Sequence, residues 1–156
     1  LALNDRGFKI GLGRQHIQMN DIPIKDILSN DALTFNENET IKIVDSKMSE
    51  SEVTEAVIIN DKNEYIGKIL IYDLLRNKLN KQTPVGKVIN QNHLVLDSEI
   101  TLVKSIEEAS NFVGEFIPVK NYHDNTYVGS INESDLFQAY LKLQNQVLHV
   151  EKDTNT

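Results

Sequence analysis

The chain has 156 residues, of which 40% are apolar and 25% are charged, and its formal net charge at pH 7 is −7. This acidic balance argues against broad binding to nucleic acids or anionic lipids, because both favour a basic surface. Cysteine is absent, which excludes disulfides, thiolate metal ligands and cysteine nucleophiles, and the four histidines are scattered without the spacing of a metal site. No apolar run approaches the roughly 20 residues that a membrane helix needs, so we expect a globular unit.

Hydrophobic periodicity in the first half predicts a short segment, a helix, a hairpin and a second helix, in that order. Residues 24–28 form the short amphipathic segment, and apolar positions three and four apart predict the helix over 41–48. The β-branched run 57–59 is typical of a buried strand, and 65–69 is the return strand of a hairpin. The second helix is predicted over 72–79.

The second half repeats this plan at an offset of 62 residues. Gly67 and Asp73 of the first half correspond to Gly129 and Asp135 of the second. The matching elements are a short segment at 85–89, a strand at 94–96, a helix at 102–109, a strand at 116–119, a hairpin tip at 121–125 and a helix at 133–143. A unit of roughly 60 residues is marginal alone. We therefore expect an α+β fold in which two β-α-β-β-α units pack together with pseudo-two-fold symmetry.

The two halves share a motif that resembles a known module. The second half carries Ile117-Pro118-Val119 and Gly129-x-Ile131-Asn132-x-x-Asp135-Leu136, and the first half carries Gly67-x-Ile69-Leu70-x-x-Asp73-Leu74. This pattern resembles a tandem pair of CBS domains, often called a Bateman module. The resemblance implies a first CBS domain at 22–82 and a second at 83–144.

The segment ahead of the pair indicates a parent protein. Residues 3–14, Leu-Asn-Asp-Arg-Gly-Phe-Lys-Ile-Gly-Leu-Gly-Arg, resemble the stretch that joins the last membrane helix of CLC-type voltage-gated chloride channels and chloride/proton exchangers to their cytoplasmic CBS pair. The resemblance implies that 1–21 is a linker from a membrane domain of the same polypeptide. Residues 145–156 are polar, and we expect a flexible tail there.

The implied function is a regulatory and dimerisation domain on the cytoplasmic face of a membrane, as part of an integral membrane protein. The expected partners are a second copy of the chain and the membrane domain, with no nucleic acid. The homodimer would use the helices at 41–48 and 102–111, or the final helices. The alternatives are a regulatory CBS pair of another transporter or of a metabolic enzyme, and a structural pair without ligand. No nucleophile–base pair, P-loop or carboxylate dyad is visible, so no enzymatic activity is predicted.

Many CBS pairs bind adenosine ligands in the groove between their halves, and the resemblance places such a site in the second half. Asp135, at a helix start, would accept hydrogen bonds from the ribose diol, and Asn132 would donate to a phosphate oxygen. Ile117, Pro118 and Val119 would form the apolar wall. No cofactor is required by this interpretation, and the possible ligands are ATP, ADP and AMP.

Each of these residues has a simpler interpretation as well. Asp135 and Asn132 also suit a helix N-terminus, where they would serve only as caps. Leu70 replaces the polar residue in the first half and offers phosphate nothing, which argues against an intact site around Asp73. His93 occupies a position that contacts ligand in relatives, or it is a hydrogen-bonded surface histidine.

Overall fold

The computed structural model describes residues 22–76 and 80–154, so the predicted linker at 1–21 lies outside the described residues. The described chain has an α+β fold with two three-stranded sheets, and the predicted fold class is confirmed. None of the described helices is long and apolar enough to cross a membrane.

The first half contains five regular elements. In chain order they are β1 (Thr34–Asn36), α1 (Ile41–Glu50), β2 (Glu55–Ile59), β3 (Tyr65–Leu70) and α2 (Ile71–Arg76). Strand β2 lies at the centre of its sheet, parallel to β1 and antiparallel to β3. The side chain of Thr40 caps α1 by accepting a hydrogen bond from the amide of Ile43 at 3.4 Å.

The second half repeats these elements and their pairing. They are β4 (Leu96–Asp97), α3 (Leu102–Glu108), β5 (Ile117–Lys120), β6 (Tyr127–Ile131) and α4 (Glu133–Thr154). Strand β5 is central, parallel to β4 and antiparallel to β6. The predicted β-α-β-β-α order is therefore confirmed in both halves.

Helix α4 is longer than the sequence pattern indicates. It continues to Thr154, whereas the sequence predicted its end near residue 143. The longer helix agrees with the composition of the stretch, because glutamine, leucine and lysine are good helix formers and no glycine or proline follows Gly129.

The apolar side chains of α4 are divided between the core and the surface. Leu136 and Tyr140 are buried, whereas Phe137 and Leu141 are 40% and 42% exposed. A straight helix turns 100° per residue, so neighbouring apolar positions point in different directions. Only the first pair belongs to the core of the second half.

The helices expected to build a homodimer, α1 and α3, turn part of their apolar surface into their own halves. Val44 and Met48 of α1, like Ile106 of α3, are fully inaccessible in the single chain. These side chains belong to the cores of the halves, so a contact between copies through α1 and α3 would use exposed side chains such as Ile43.

The short segment that precedes each half packs against the other half, and we call this arrangement the exchange of leading segments. They form two 3-10 helices, Ile24–Ile27 and Val85–Lys87. The amide of Ile24 donates to the carbonyl of Ile100 in the second half at 2.9 Å, and the amide of Val85 donates to that of Glu39 in the first half at 2.8 Å. Each segment thus packs against the other half, so the division at 82/83 follows the sequence repeat and not the packing.

This exchange gives each half a core that contains the other half's leading segment. Ile24 belongs to the core of the second half, and Val85 belongs to the core of the first. Between them lies a small shared cluster formed by Val57, Tyr65 and Phe116. Matched backbone contacts across this junction are reciprocal, as a pseudo-two-fold relation requires, because Tyr65 and Tyr127 each donate to the opposite hairpin tip at 3.0 and 2.9 Å.

Candidate functional site

A cavity of about 160 Å³ lies between the halves at the start of α4, and we call it the Asp135 groove. Both halves contribute to its lining, which consists of Ser29, Asp31, Ala32, Leu33, Val53, Glu55, Glu115, Phe116, Ser130, Asn132 and Asp135. The structure therefore brings together the two polar residues that the sequence singled out, Asn132 and Asp135.

Asn132 and Asp135 form a reciprocal cap at the N-terminus of α4. The amide of Asp135 donates to Oδ1 of Asn132 at 2.7 Å, and the amide of Asn132 donates to Oδ2 of Asp135 at 3.2 Å. This arrangement is a capping box, and it satisfies two backbone donors that the helix itself leaves unbonded. A carboxylate offers about four lone-pair sites, so the cap leaves capacity for a ligand diol.

The apolar wall of the Asp135 groove differs from the predicted one. Ile117, Pro118 and Val119 are not among the residues that line this cavity, and all three are buried. Ile117 and Val119 belong to the hydrophobic core of the second half. Phe116, the residue immediately before the strand, faces the groove instead.

His93 lies in a second cavity, related to the first by the repeat, which we call the His93 groove. Its volume is about 280 Å³, and its lining consists of Thr54, Glu55, Leu70, Ile71, Tyr72, His93, Val113 and Gly114. The prediction grouped His93 with Asp135, but the exchange of leading segments carries residue 93 to the first half. Leu70 of the first half lines the same groove, as its position in the repeat implies.

The imidazole of His93 is partly buried, and Nε2 makes no hydrogen bond among the described residues. Burial lowers the pKa of His93 below its ordinary value, and the charge of Lys68 lowers it further. Glu55 and Asp73 act in the opposite direction and are smaller causes. The side chain is therefore held as the neutral base more strongly than a solvated histidine.

Glu55, which lines both grooves, belongs to a buried ion pair. Lys68 on β3 pairs with Glu55 on β2, and the two residues are only 1% and 6% exposed. Nζ of Lys68 also donates to the carbonyl of Phe116 at 2.7 Å and lies 4.5 Å from the centroid of that ring. Desolvation lowers the pKa of Lys68, and hydrogen bonding to Glu55 opposes that shift.

The ion pair continues into a hydrogen-bond network that joins the halves. The amide of Glu115 donates to Glu55, and the amide of Thr54 donates to Oε1 of Glu115 at 3.1 Å. Glu55 lines both grooves, Thr54 lines the His93 groove and Glu115 lines the Asp135 groove. The network thus runs from one cavity to the other.

Sequence inspection missed this network, although a signal was present. Glu55 and Lys68 are lone charges in otherwise apolar strands that form a predicted hairpin. In the observed register Lys68 lies opposite Val57, so Glu55 is its diagonal neighbour on the same face of the sheet. Opposite charges in that relation attract each other. Among the described residues, no group of three or more histidine, aspartate or glutamate side chains could hold a metal ion.

Comparison of sequences connects the chain with one protein family and one curated relative. Residues 24–80 match the model of the CBS domain. Over 132 residues, the chain is 25% identical to the A-adding tRNA nucleotidyltransferase of Aquifex aeolicus. The match covers 84% of this chain, but the chain spans only about 15% of the length of that relative.

Solved structures share the fold over most of the chain. A CBS domain pair/ACT domain protein from Thermotoga maritima has a TM-score of 0.66 at 16% identity, and the match covers 78% of this chain and 98% of that one. CbpB in complex with c-di-AMP has a TM-score of 0.70 at 18% identity, covering 90% and 96%. CBSX2 in complex with AMP has a TM-score of 0.64 at 18% identity, covering 79% and 98%. Residues 24–80 are thus similar in sequence to the CBS domain, and the chain has the fold of a CBS domain pair.

Proposed function

We propose that this chain is a regulatory CBS pair that binds an adenine nucleotide or nucleoside in the Asp135 groove. The observation that carries the proposal is the Asn132–Asp135 cap, which opens onto a cavity between the two halves. Two proteins of the same fold, CbpB and CBSX2, were solved with c-di-AMP and AMP. These ligands share an adenosine unit, which is the part that the groove would recognise.

The residues of the groove have chemistry that suits an adenosine unit. Asp135 would accept hydrogen bonds from the ribose hydroxyls through the lone pairs that the cap does not use. Oδ1 of Asn132 faces the helix, so its amide nitrogen is the group that can donate into the groove. Phe116 would cover one face of the base, and backbone groups near Ala32 would read its edge.

Ligand binding would regulate a partner by changing how the halves pack. The Asp135 groove is lined by both halves, so a ligand that contacts both favours one relative arrangement. The free energy of such a shift equals the difference in ligand affinity between the two arrangements. Residues that connect the pair to a neighbouring domain would transmit the change.

For that neighbouring domain, we propose the membrane region of a CLC-type chloride channel or chloride/proton exchanger. The support is the resemblance of residues 3–14 to the linker of that family. In this proposal the pair lies at the cytoplasmic face of the membrane and forms a homodimer. The match to a tRNA nucleotidyltransferase favours the alternative, a CBS pair within a metabolic enzyme.

Thermal unfolding with added ligand tests nucleotide or nucleoside binding. Ligand at 100 times its dissociation constant should stabilise the folded chain by roughly 2.7 kcal/mol. For a chain of this size, that corresponds to a rise in Tm of about 5 °C or more. Asp135→Asn keeps a capping side chain but removes the charged acceptor, so it should abolish the rise, whereas Asp73→Asn should preserve most of it.

Two outcomes would contradict the proposal in different ways. An unchanged Tm with millimolar adenosine, AMP, ADP and ATP would favour a structural pair without ligand. A rise that survives Asp135→Asn but disappears in Asp73→Asn would move the site to the first half. The parent is tested separately by the complete reading frame. Roughly 400 preceding residues with many apolar segments of about 20 residues would support a chloride transporter, and a nucleotidyltransferase domain would support the alternative.

The homodimer is tested by light scattering of the purified chain. Helix α4 exposes Phe137 and Leu141, which are one turn apart, so we propose this face as the contact between copies. Leu141→Glu should reduce the dimer fraction, and Glu107→Gln on α3 should leave it unchanged. A mass of one chain at high protein concentration would count against a dimer of this domain alone.

A further inference from the structure

The Asp135 groove has an unusual charge balance for a site that would hold phosphate. Three carboxylates in its lining have no basic side chain beside them among the described lining residues. They belong to Asp31, Glu115 and Asp135. The fourth, Glu55, is neutralised by Lys68. No lysine, arginine or histidine is among the described residues that line this groove.

In the described part of the chain, the positive groups beside the groove already have other partners. Lys68 is 1% exposed, pairs with Glu55 and donates to the carbonyl of Phe116, so it cannot reach a ligand without breaking both contacts. The N-terminus of α4 carries a partial positive charge, but its first turn already holds two acidic residues, Glu133 and Asp135. Among the described residues, a phosphate group would therefore meet carboxylates and no basic side chain in the lining.

We infer that the Asp135 groove selects an adenosine ligand with little negative charge, so that adenosine binds more tightly than AMP, AMP more tightly than ADP, and ADP more tightly than ATP. This inference rests on the proposed function, because it concerns the same groove. The physical reason is that like charges brought together in a partly buried site repel each other more than they do in water.

Titration calorimetry of the 156-residue chain with adenosine, AMP, ADP and ATP tests the order. Divalent cations are removed with a chelator, because they would mask the phosphate charge. The dissociation constant should rise by about tenfold or more from adenosine to ATP at low salt. The ratio of the ATP dissociation constant to the adenosine dissociation constant should decrease as the salt concentration increases from about 0.05 M to about 0.5 M, because ions screen the repulsion.

Charge-neutral variants identify the residues responsible. The double variant Asp31→Asn with Glu115→Gln keeps the size of both side chains and removes two charges from the groove. This variant should reduce the ratio of the ATP dissociation constant to the adenosine dissociation constant at least about threefold, because each charge contributes to the repulsion. Glu107→Gln and Glu108→Gln together are the matched control, since they remove the same charge from α3 outside the groove.

The outcomes separate this inference from the proposed function. ATP binding as tightly as adenosine, or more tightly, would overturn the charge selection and leave the nucleotide or nucleoside site intact. If the double variant left the ratio of the two dissociation constants unchanged, the inference would also be overturned, because these carboxylates would then not cause the weaker binding of ATP. Failure of all four ligands to bind would overturn the proposed function, and the inference with it.

Discussion

The two grooves occupy matched positions of the repeat but differ in the residues that begin the helix beside them. In the Asp135 groove, Asn132 caps α4, whereas Leu70 stands at the corresponding position before α2. At the offset of 62 residues, His93 of the second groove corresponds to Asp31 of the first. One groove is therefore polar and acidic, and the other is more apolar with a partly buried imidazole. The two halves thus share one backbone arrangement, whereas the chemistry of their grooves differs.

The grooves are not independent, because one side chain belongs to both. Glu55 lines each cavity, and its charge is balanced by Lys68 and by the amide of Glu115. Burying an ion pair is costly unless its remaining hydrogen-bonding capacity is also satisfied. The carbonyl of Phe116 meets that requirement for Lys68, which explains how a lysine that is 1% exposed is tolerated.

The largest expected effect follows from removing one member of the buried ion pair of Lys68 and Glu55. Lys68→Ala should destabilise the chain by about 3–5 kcal/mol, because it leaves the buried charge of Glu55 without its partner. Urea unfolding followed by circular dichroism measures the change. Glu99→Ala, which breaks the exposed pair of Lys25 and Glu99 at 3.2 Å, is the control and should cost less than about 1 kcal/mol.

Replacing both members of the buried pair separates lost charge from lost packing. The double variant Glu55→Gln with Lys68→Met should be more stable than Lys68→Ala, because no unpaired charge remains in the interior. Equal losses in Lys68→Ala and Glu99→Ala would contradict the idea that burial makes the shared pair important.

The matched glycines of the two hairpins, Gly129 and Gly67, differ in their backbone conformation. Gly129 has φ of 151°, and a Cβ there would lie 3.1 Å from the carbonyl oxygen of Ser29. Gly129→Ala should therefore cost about 1–3 kcal/mol. Gly67 has no positive φ, and its nearest neighbour would be the flexible end of Ile89 at 3.1 Å, so Gly67→Ala should cost less. Differential scanning calorimetry of the two variants checks the order, and equal melting temperatures would refute it.

The cap beside the Asp135 groove gives a smaller effect. Asn132→Ala removes one half of the capping box and should cost about 0.5–2 kcal/mol in urea unfolding. Asn132→Ser is the control, because serine is an equally good N-cap without a charge and should preserve stability. A loss of the same size in both variants would mean that Asn132 stabilises the helix by some other contact.

The fold was predictable because its signals are local. Strand and helix periodicity gave the elements, and the recurrence of Gly67 and Asp73 as Gly129 and Asp135 gave the duplication. The same locality explains the placement of Asn132 and Asp135 in one groove, since both lie at the start of α4. Whether Asp135 binds ribose stays a prediction.

The differences between the predicted and the observed groove linings concern long-range packing. No local pattern shows that residues 85–90 pack on the first half and carry His93 with them, so His93 and Asp135 lie in different grooves. The apolar run at β5 predicts burial but not whether its side chains face a cavity or the core, and Ile117 and Val119 belong to the core. Pairing of Glu55 with Lys68 depends on strand register, which hydrophobic alternation alone does not identify here.

The smallest expected effect concerns the imidazole that distinguishes the His93 groove. Burial lowers the pKa of His93 below 6.5, so the unfolded chain binds more protons than the folded chain between those two pKa values. Stability should therefore decrease as pH falls through about 6.5 and below, because protonation favours the unfolded state. His93→Gln should flatten this slope in urea unfolding measured from about pH 8 to about pH 5. His123→Gln, at the exposed hairpin tip, is the matched control and should leave the slope as it is. If His93→Gln and the parent chain lose stability in parallel, the acid sensitivity arises elsewhere, and the imidazole of the His93 groove is not the group that titrates.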